Sequence, residues 1–278
     1  IHCHFIVPAG LIAYLSSRRL PYVITCHGSD VPGYNPDYFQ REHKLMRPVW
    51  LRIIKRAALL ISPSDTLKNL IESACANRQV AQVTVIPNGF PAKRFNVSRR
   101  EKKILLVSRM LPRKGLQYFL QAIQGIKLDY EVHIVGDGPM RDVLEKLAKS
   151  TPTPVKFWGW LDNDSGELRE LYESSSIFVF PSLSENFPIV LLEAMTAGLA
   201  IITTNIRGCP EVVGDTALLV PPQDPAAIRE QLLRLIRDAK LVQKLGNAAR
   251  RRVEEMFDWP LVLEQYENAL KLHCLNMR

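Results

Sequence analysis

The chain has 278 residues, 47% hydrophobic and 23% charged, with a formal net charge of +8 and a pI near 9.3. This is the balance of a soluble globular protein of about two ordinary domains, and it excludes disordered and fibrous classes. The excess of cations fits an anionic partner (phosphates of a small ligand, an anionic membrane surface or nucleic acid) or serves solubility alone.

No apolar run approaches the roughly 20 residues needed to cross a bilayer. Five cysteines, Cys3, Cys26, Cys75, Cys209 and Cys274, are scattered and form no CxxC pair. A disulfide framework or zinc site is therefore not expected, and a reducing cytosol fits. At the start, His2-Cys3-His4 has the look of a metal cluster. Alternation along an extended segment sends Cys3 away from the two histidines, and no further ligand follows, so no metal is expected there.

Short apolar strands then alternate with helices, which argues for parallel α/β layers. Strands are predicted at 21–26, 58–64 and 83–87, then at 103–108, 131–136, 155–159, 177–182 and 200–204. Helical stretches lie between them, among them LQYFLQAIQGI, MRDVLEKLAKS and PAAIREQLLRLIRDAK. The polar segment NVSRREKK (96–103) reads as a linker between a first unit, 1–95, of about three strands and a second, 96–258, of five or six. In FDWPLVLEQYENALKLH, Pro260 ends one helix and begins a last one over 259–278.

TCHGSD (25–30) closes a strand of the first unit with His27, Gly28 and Asp30. A histidine on such a glycine-bearing loop is a candidate for contact with a reacting group, although a lone histidine is more often structural. The stretch 41–60 interleaves Arg41, Lys44, Arg47, Arg52, Lys55 and Arg56 with apolar residues. It suits either an anionic leaflet or a buried amphipathic helix with a solvated basic edge.

Chemistry concentrates in the second unit. SLSENFPIVLLEAMTAG (182–198) carries Glu185 on the loop after a strand and Glu193 inside the following helix. Pro188 suits the first helical position and Gly198 the stop. The amides of Ile189 and Val190 then face outward at a positive helix end, where an anion could sit. Both carboxylates could accept hydrogen bonds from sugar hydroxyls beside it. The alternative is a structural ion pair for Glu193 and a solvated Glu185. Strand KILLVS opens into RMLPRKG, placing Arg109 and Lys114 where two cations can neutralise a diphosphate. VGDGP (135–139) follows a strand, and Gly136 and Gly138 would let a ring or ribose approach the backbone. In FWGW (157–160), Gly159 stands at a strand end, where its backbone could read a base edge; core packing accounts for Phe157, Trp158 and Trp160. Asp162-Asn163-Asp164 reads as a turn. No nucleic-acid motif occurs, and nucleic acid is disfavoured as a partner.

Taken in order, HGSD (27–30), SPSDTLKNLI (62–71), IPNG (86–89), SRMLPRKG (108–115), VGDGP (135–139) and Glu185-x7-Glu193 resemble the family-4 retaining glycosyltransferases. Those enzymes have the GT-B architecture of two facing Rossmann-like domains. The resemblance implies that Arg109 and Lys114 bind a donor diphosphate and that Glu185 binds hydroxyls of the donor sugar. It likewise implies that Glu193 holds the ribose, that His27 lies near the donor sugar, and that Asn186, Phe187 and Pro188 offer backbone to sugar and phosphate. It further implies a nucleotide-sugar substrate, no metal or other cofactor, and a glycan or lipid-linked acceptor, as in polysaccharide synthesis on the inner face of a membrane. The last helix is expected to return to the N-terminal domain, and the start, IHCHFIVPAG, resembles a point well inside that domain. A nucleotide-sugar-binding module without catalysis is the second reading.

Overall fold

A computed structural model of the chain describes residues 1–16, 20–34, 40–75, 80–96 and 100–274, the side chain of Cys274 excepted. It divides into two compact units, Ile1–Gly89 with Pro260–Arg278, and Phe90–Trp259.

The first unit runs β1 (His2–His4), α1 (Leu11–Ser16), β2 (Val23–Thr25), α2 (Gln40–Arg56), β3 (Leu59–Ser62), α3 (Asp65–Ala74) and β4 (Val83–Val85). Its four parallel strands lie in the order β1-β2-β3-β4. Every residue of β2 and β3 is buried, as expected of parallel strands covered on both faces. The short, polar β1 adds a fourth strand to the three expected. Its pleat turns Cys3 inward and leaves His2 and His4 outside. Ser64 starts α3 by accepting a hydrogen bond from the Leu67 amide at 3.1 Å. The 41–60 stretch forms most of α2, which buries Trp50, Ile53 and Ile54 and keeps its six cations exposed.

The second unit runs β5 (Lys103–Val107), α4 (Leu116–Ala122), β6 (Glu131–Val135), α5 (Arg141–Ala148), β7 (Val155–Gly159), α6 (Gly166–Ser174) and β8 (Ile177–Phe180). It continues with α7 (Ile189–Thr196), β9 (Ala200–Thr204), α8 (Cys209–Val213), β10 (Ala217–Val220), α9 (Pro225–Arg237) and α10 (Ala239–Met256). Six parallel strands take the order β10-β9-β8-β5-β6-β7. Strand order therefore reverses between β5 and β8, where ligands of such sheets bind. Alternate residues feed two cores: Leu105, Phe178 and Phe180 on one face, Ile104, Leu106, Ile177 and Val179 on the other. Strand β10 escaped sequence reading because only Val220 of its four residues is buried.

The expected linker is not one. Residues 97–99 lie outside the described residues, but Arg100 is fastened into the second unit and Lys103 begins β5. Phe90, Ala92 and Phe95 also join its core, with the Phe90 amide bonded to the Phe257 carbonyl at 2.8 Å. The boundary thus falls at Gly89–Phe90. After α10, α11 (Trp259–Cys274) places Val262 and Ala269 against Val23, Leu59, Ile61 and Ile86 of the first unit. Cys3, Cys26, Cys75 and Cys209 are buried free thiols. Among the described residues, no helix is long and apolar enough to cross a membrane.

Candidate active site

The loops after β5 and β8 are locked together. Gly115, at φ +72°, ends the turn Pro112–Lys114 and packs so tightly that an added Cβ would lie 1.9 Å from the Pro181 carbonyl oxygen. Only glycine tolerates both the left-handed backbone and that approach. Across the same contact the Leu183 amide donates to the Arg113 carbonyl at 2.7 Å. Lys114 is thereby brought onto Glu185, with which it forms an ion pair; the two side chains are 12% and 11% exposed. Ser182 Oγ donates to the same Glu185 oxygen at 2.6 Å, and the ammonium lies 5.5 Å from the Phe180 ring centroid. Arg109 stands exposed, with no side-chain hydrogen bond or ion pair among the described residues.

These groups border a cavity of about 370 Å³, whose lining includes Arg109, Lys114, Gly136, Glu185, Pro188, Ile189 and Glu193. That volume falls within the roughly 300–1,000 Å³ of small-molecule sites. Helix α7 opens onto it. Pro188 is the cap residue rather than the first helical one, and it supplies no side-chain cap, so helix-end amides are free of that competitor. Gly198 stops the helix at φ +70°. Most of α7 is core, and Glu193 is its sole carboxylate. The buried Tyr172 hydroxyl donates to Glu193 Oε2 at 2.7 Å. Burial raises the pKa of Glu193; the Tyr172 bond and the Arg94 charge pull it back. Burial, then the facing carboxylate, pushes the Tyr172 phenol well up, so it stays a donor. Neither carboxylate takes the solvated or ion-paired role weighed for it above: Glu185 holds the ion pair and Glu193 the phenol.

The glycine turn is packed against the loop after β5. A Cβ on Gly136 would meet the Ser108 carbonyl oxygen at 1.9 Å, and one on Gly138 the Met110 carbonyl oxygen at 2.7 Å. The backbone that approaches them is that of the β5 loop. The Met110 amide bonds the Asp137 carbonyl at 2.7 Å across that contact. Gly136 lines the cavity; Gly138, Gly159 and Asn186 do not. The Gly159 carbonyl is taken by the Gly136 amide at 2.8 Å, and Asn186 backs onto Gly208. Phe187 lines the cavity from the core side. Trp158 packs in the core, but Trp160, assigned there by sequence, is 68% exposed at the cavity edge. Ser108, Trp160 and Asn163 were missed, although each follows a strand's carboxyl end, the rule that found Arg109. Asp162–Asp164 is a turn, with the Asp164 amide bonded to Asp162 Oδ1 at 2.9 Å. Among the described residues, no group of three or more His, Cys, Asp or Glu is arranged to hold a metal.

His27 belongs to the first unit. Buried Asp30 shapes its loop, accepting the His27 and Gly28 amides on Oδ1 and the Ile6 amide on Oδ2, each at 3.0 Å. His27 Nε2 meets His4 Nδ1 at 2.9 Å, and Phe5 packs on the ring. Burial lowers the pKa of His27, Asp30 raises it and His4 lowers it, for a net fall that keeps the ring neutral at pH 7.

Known proteins share this organisation. The family described as Glycosyltransferase Family 4 matches residues 1–94, and that described as Glycosyl transferases group 1 matches 101–238. The chain is 29% identical to N-acetyl-alpha-D-glucosaminyl L-malate synthase of Bacillus anthracis, over 96% of this chain and 73% of that protein. It is 30% identical to a sulfoquinovosyl transferase of Arabidopsis thaliana, over 96% of this chain and 57% of that protein. Sucrose-phosphate synthase of Thermosynechococcus elongatus superposes with a TM-score of 0.77 at 25% identity, covering 98% of this chain and 73% of that one. HepE of Anabaena, solved in complex with UDP and glucose, has the same fold at 20% identity and a TM-score of 0.77, covering 94% and 74%. Two Rossmann-like units with a strand-end cavity define the GT-B class. Within it, the chain belongs to the family-4, group 1 glycosyltransferases.

Proposed function

We propose that this protein transfers a sugar from a nucleotide-sugar donor to a hydroxyl of a glycan or lipid-linked acceptor, with retention at the anomeric carbon. One observation carries the reading: a single cavity joins two cations, a helix start and two carboxylates. Lys114, Arg109 and the amides at Ile189 suit a diphosphate whose charge grows as it departs, and preorganised charge of this kind is the larger part of such catalysis. On this reading no metal is required. A diphosphate oxygen would take Lys114 from Glu185, freeing that carboxylate for donor-sugar hydroxyls, while Glu193 accepts from the ribose.

The C1–O bond to the diphosphate breaks, its electron pair leaving on the diphosphate oxygen. The acceptor oxygen bonds C1 on the same face, and its proton passes to that departing oxygen. No enzymic nucleophile is needed. The acceptor falls to the first unit, which has its own cavity of about 300 Å³ lined by Phe5, Asp30, His43 and Trp50 among others. The exposed cations of α2 would add attraction to an anionic leaflet carrying a lipid-linked acceptor; co-sedimentation with anionic vesicles should then fall with salt.

The test offers the protein UDP-, ADP- and GDP-sugars with soluble and lipid-linked acceptors, in the presence of EDTA. Expected is an α-linked product from an α-linked donor, and a loss of about 10²–10³ in turnover for Arg109→Ala. Binding without transfer to any acceptor would replace the enzyme by a nucleotide-sugar-binding module.

A further inference from the structure

Glu193 lies in a helix whose other residues are uncharged, and both of its oxygens need an account. Oε2 takes the Tyr172 hydroxyl at 2.7 Å, and Oε1 has no bond among the described residues. Tyr172 is itself rigid. It is 1% exposed, with Phe95 and Phe178 at ring-centroid distances of 5.0 and 6.1 Å. The phenol therefore cannot swing away, and it can only donate, because its neighbour is a carboxylate.

Arg94 completes the frame. It stacks 5.6 Å over Phe90 and 5.8 Å over Phe95, and donates to the Asn163 carbonyl and to Asp164 Oδ1. Its charge favours the ionised Glu193. Since Asn163 also lines the cavity, one assembly, buried at Tyr172 and exposed at Asn163 and Asp164, reaches two parts of the wall.

We propose that Tyr172 is a positioning residue for the nucleotide. Its hydroxyl pins one oxygen of Glu193, so that the other is presented at a fixed place and angle to the hydroxyls of a bound nucleoside diphosphate's ribose. This rests on the assignment of Glu193 to the ribose made above. An acceptor carboxylate held from one side is preorganised, and a ligand lacking the hydroxyls gains nothing from it. Tyr172 thus sets discrimination between ribose and its deoxy forms without touching the ligand.

The experiment measures calorimetric affinity for UDP, ADP and GDP, then for the 2′,3′-dideoxy form of the tightest binder, at several pH values. Tyr172→Phe keeps the ring and removes only the hydroxyl. It should weaken the ribonucleotide about tenfold, the scale of a lost charge-assisted hydrogen bond, and leave the dideoxy form unchanged. Without the phenol donor Glu193 protonates more easily, so the acid limb of binding should move to higher pH. Replacing Tyr172 by 3-fluorotyrosine, a more acidic donor of almost the same shape, should move the limb the other way, and this arm stands if Tyr172→Phe folds poorly. Equal loss for both nucleotides with an unmoved acid limb would overturn the proposal. Glu193→Gln separates the two levels. If it binds the ribonucleotide like the wild type, the assignment of Glu193 to the ribose fails and the positioning role with it; if it loses binding while Tyr172→Phe does not, the positioning role alone fails.

Discussion

Arg100 and Lys114 are both drawn out of water in the same unit, and the chain satisfies them in opposite ways. Arg100 sits at the amino ends of the strands. Its guanidinium donates to the carbonyls of Tyr172 and Glu173 at 3.3 Å, of Ser175 at 2.7 Å, and of Ala197. Those carbonyls close α6 and α7, whose last turns have no partners of their own. Burial, then the nearby Arg250, lowers its pKa to about 10, so it remains charged at neutrality. Lys114 sits at the carboxyl ends and meets a single carboxylate. Carbonyls fixed in a fold cannot be exchanged for a ligand; a side-chain carboxylate can. The first cation is a structural clamp; on the proposed function, the second is a charge held ready.

Substituting Lys114 should produce the largest effect. Lys114→Met should cost about 10²–10³ in turnover. It should also destabilise the protein, because Glu185 is left buried without its partner. Adding Glu185→Gln should restore the urea midpoint and leave turnover low. If stability did not recover, the pair would not be the isolated, exchangeable contact described here.

Arg100→Met should act in the reverse sense. Carbonyls lose their donors, at about 1–3 kcal/mol for each one left unsatisfied. The urea midpoint should fall clearly, while turnover per folded molecule changes less than twofold. A loss of turnover matching that of Lys114→Met would erase the contrast between the two cations.

Gly115→Ala tests what brings Lys114 to its partner. A left-handed backbone costs a residue with a Cβ about 1–3 kcal/mol, and the Pro181 carbonyl must also retreat. Turnover should drop about tenfold in company with stability, where Arg100→Met moves stability alone.

The smallest effect concerns Glu193. Burial raises its folded pKa above the ordinary 4.5, so the native state holds that proton more tightly than the unfolded chain. Stability from this group is present at low pH and lost as pH rises through the folded value. On the proposed assignment of Glu193 to the ribose, nucleotide binding should climb over the same window. Glu193→Gln should flatten the stability slope and abolish the climb in binding. A steeper slope in the variant would reverse this account of the residue.

Much of this was readable in advance, for physical reasons. Buried parallel strands such as β5 after Lys103, and β8 along its whole length, are apolar and so stand out against their loops. Arg109, Lys114, Glu185 and Glu193 were legible because ligands gather where such strands end, and chain order alone says where that is. The same signal lay unused at Ser108 and Asn163. Other features carried none. β1 is short and polar, and β10 is short with only its last residue buried. Arg100 read as linker because its partners are main-chain carbonyls 72 to 97 residues away, which no side-chain pattern announces.

Sequence alone determined the alternation of strand and helix, the family, and the placing of Arg109, Lys114, Glu185 and Glu193 around the cavity, since these follow from local apolar periodicity and from residue type at strand ends. Only the tertiary structure decided that Lys114 pairs with Glu185, that Tyr172 holds Glu193, and that Gly136 and Gly138 admit the backbone of the neighbouring β5 loop. Such partnerships arise between segments far apart in the chain, and which atoms meet is settled only when the layers pack.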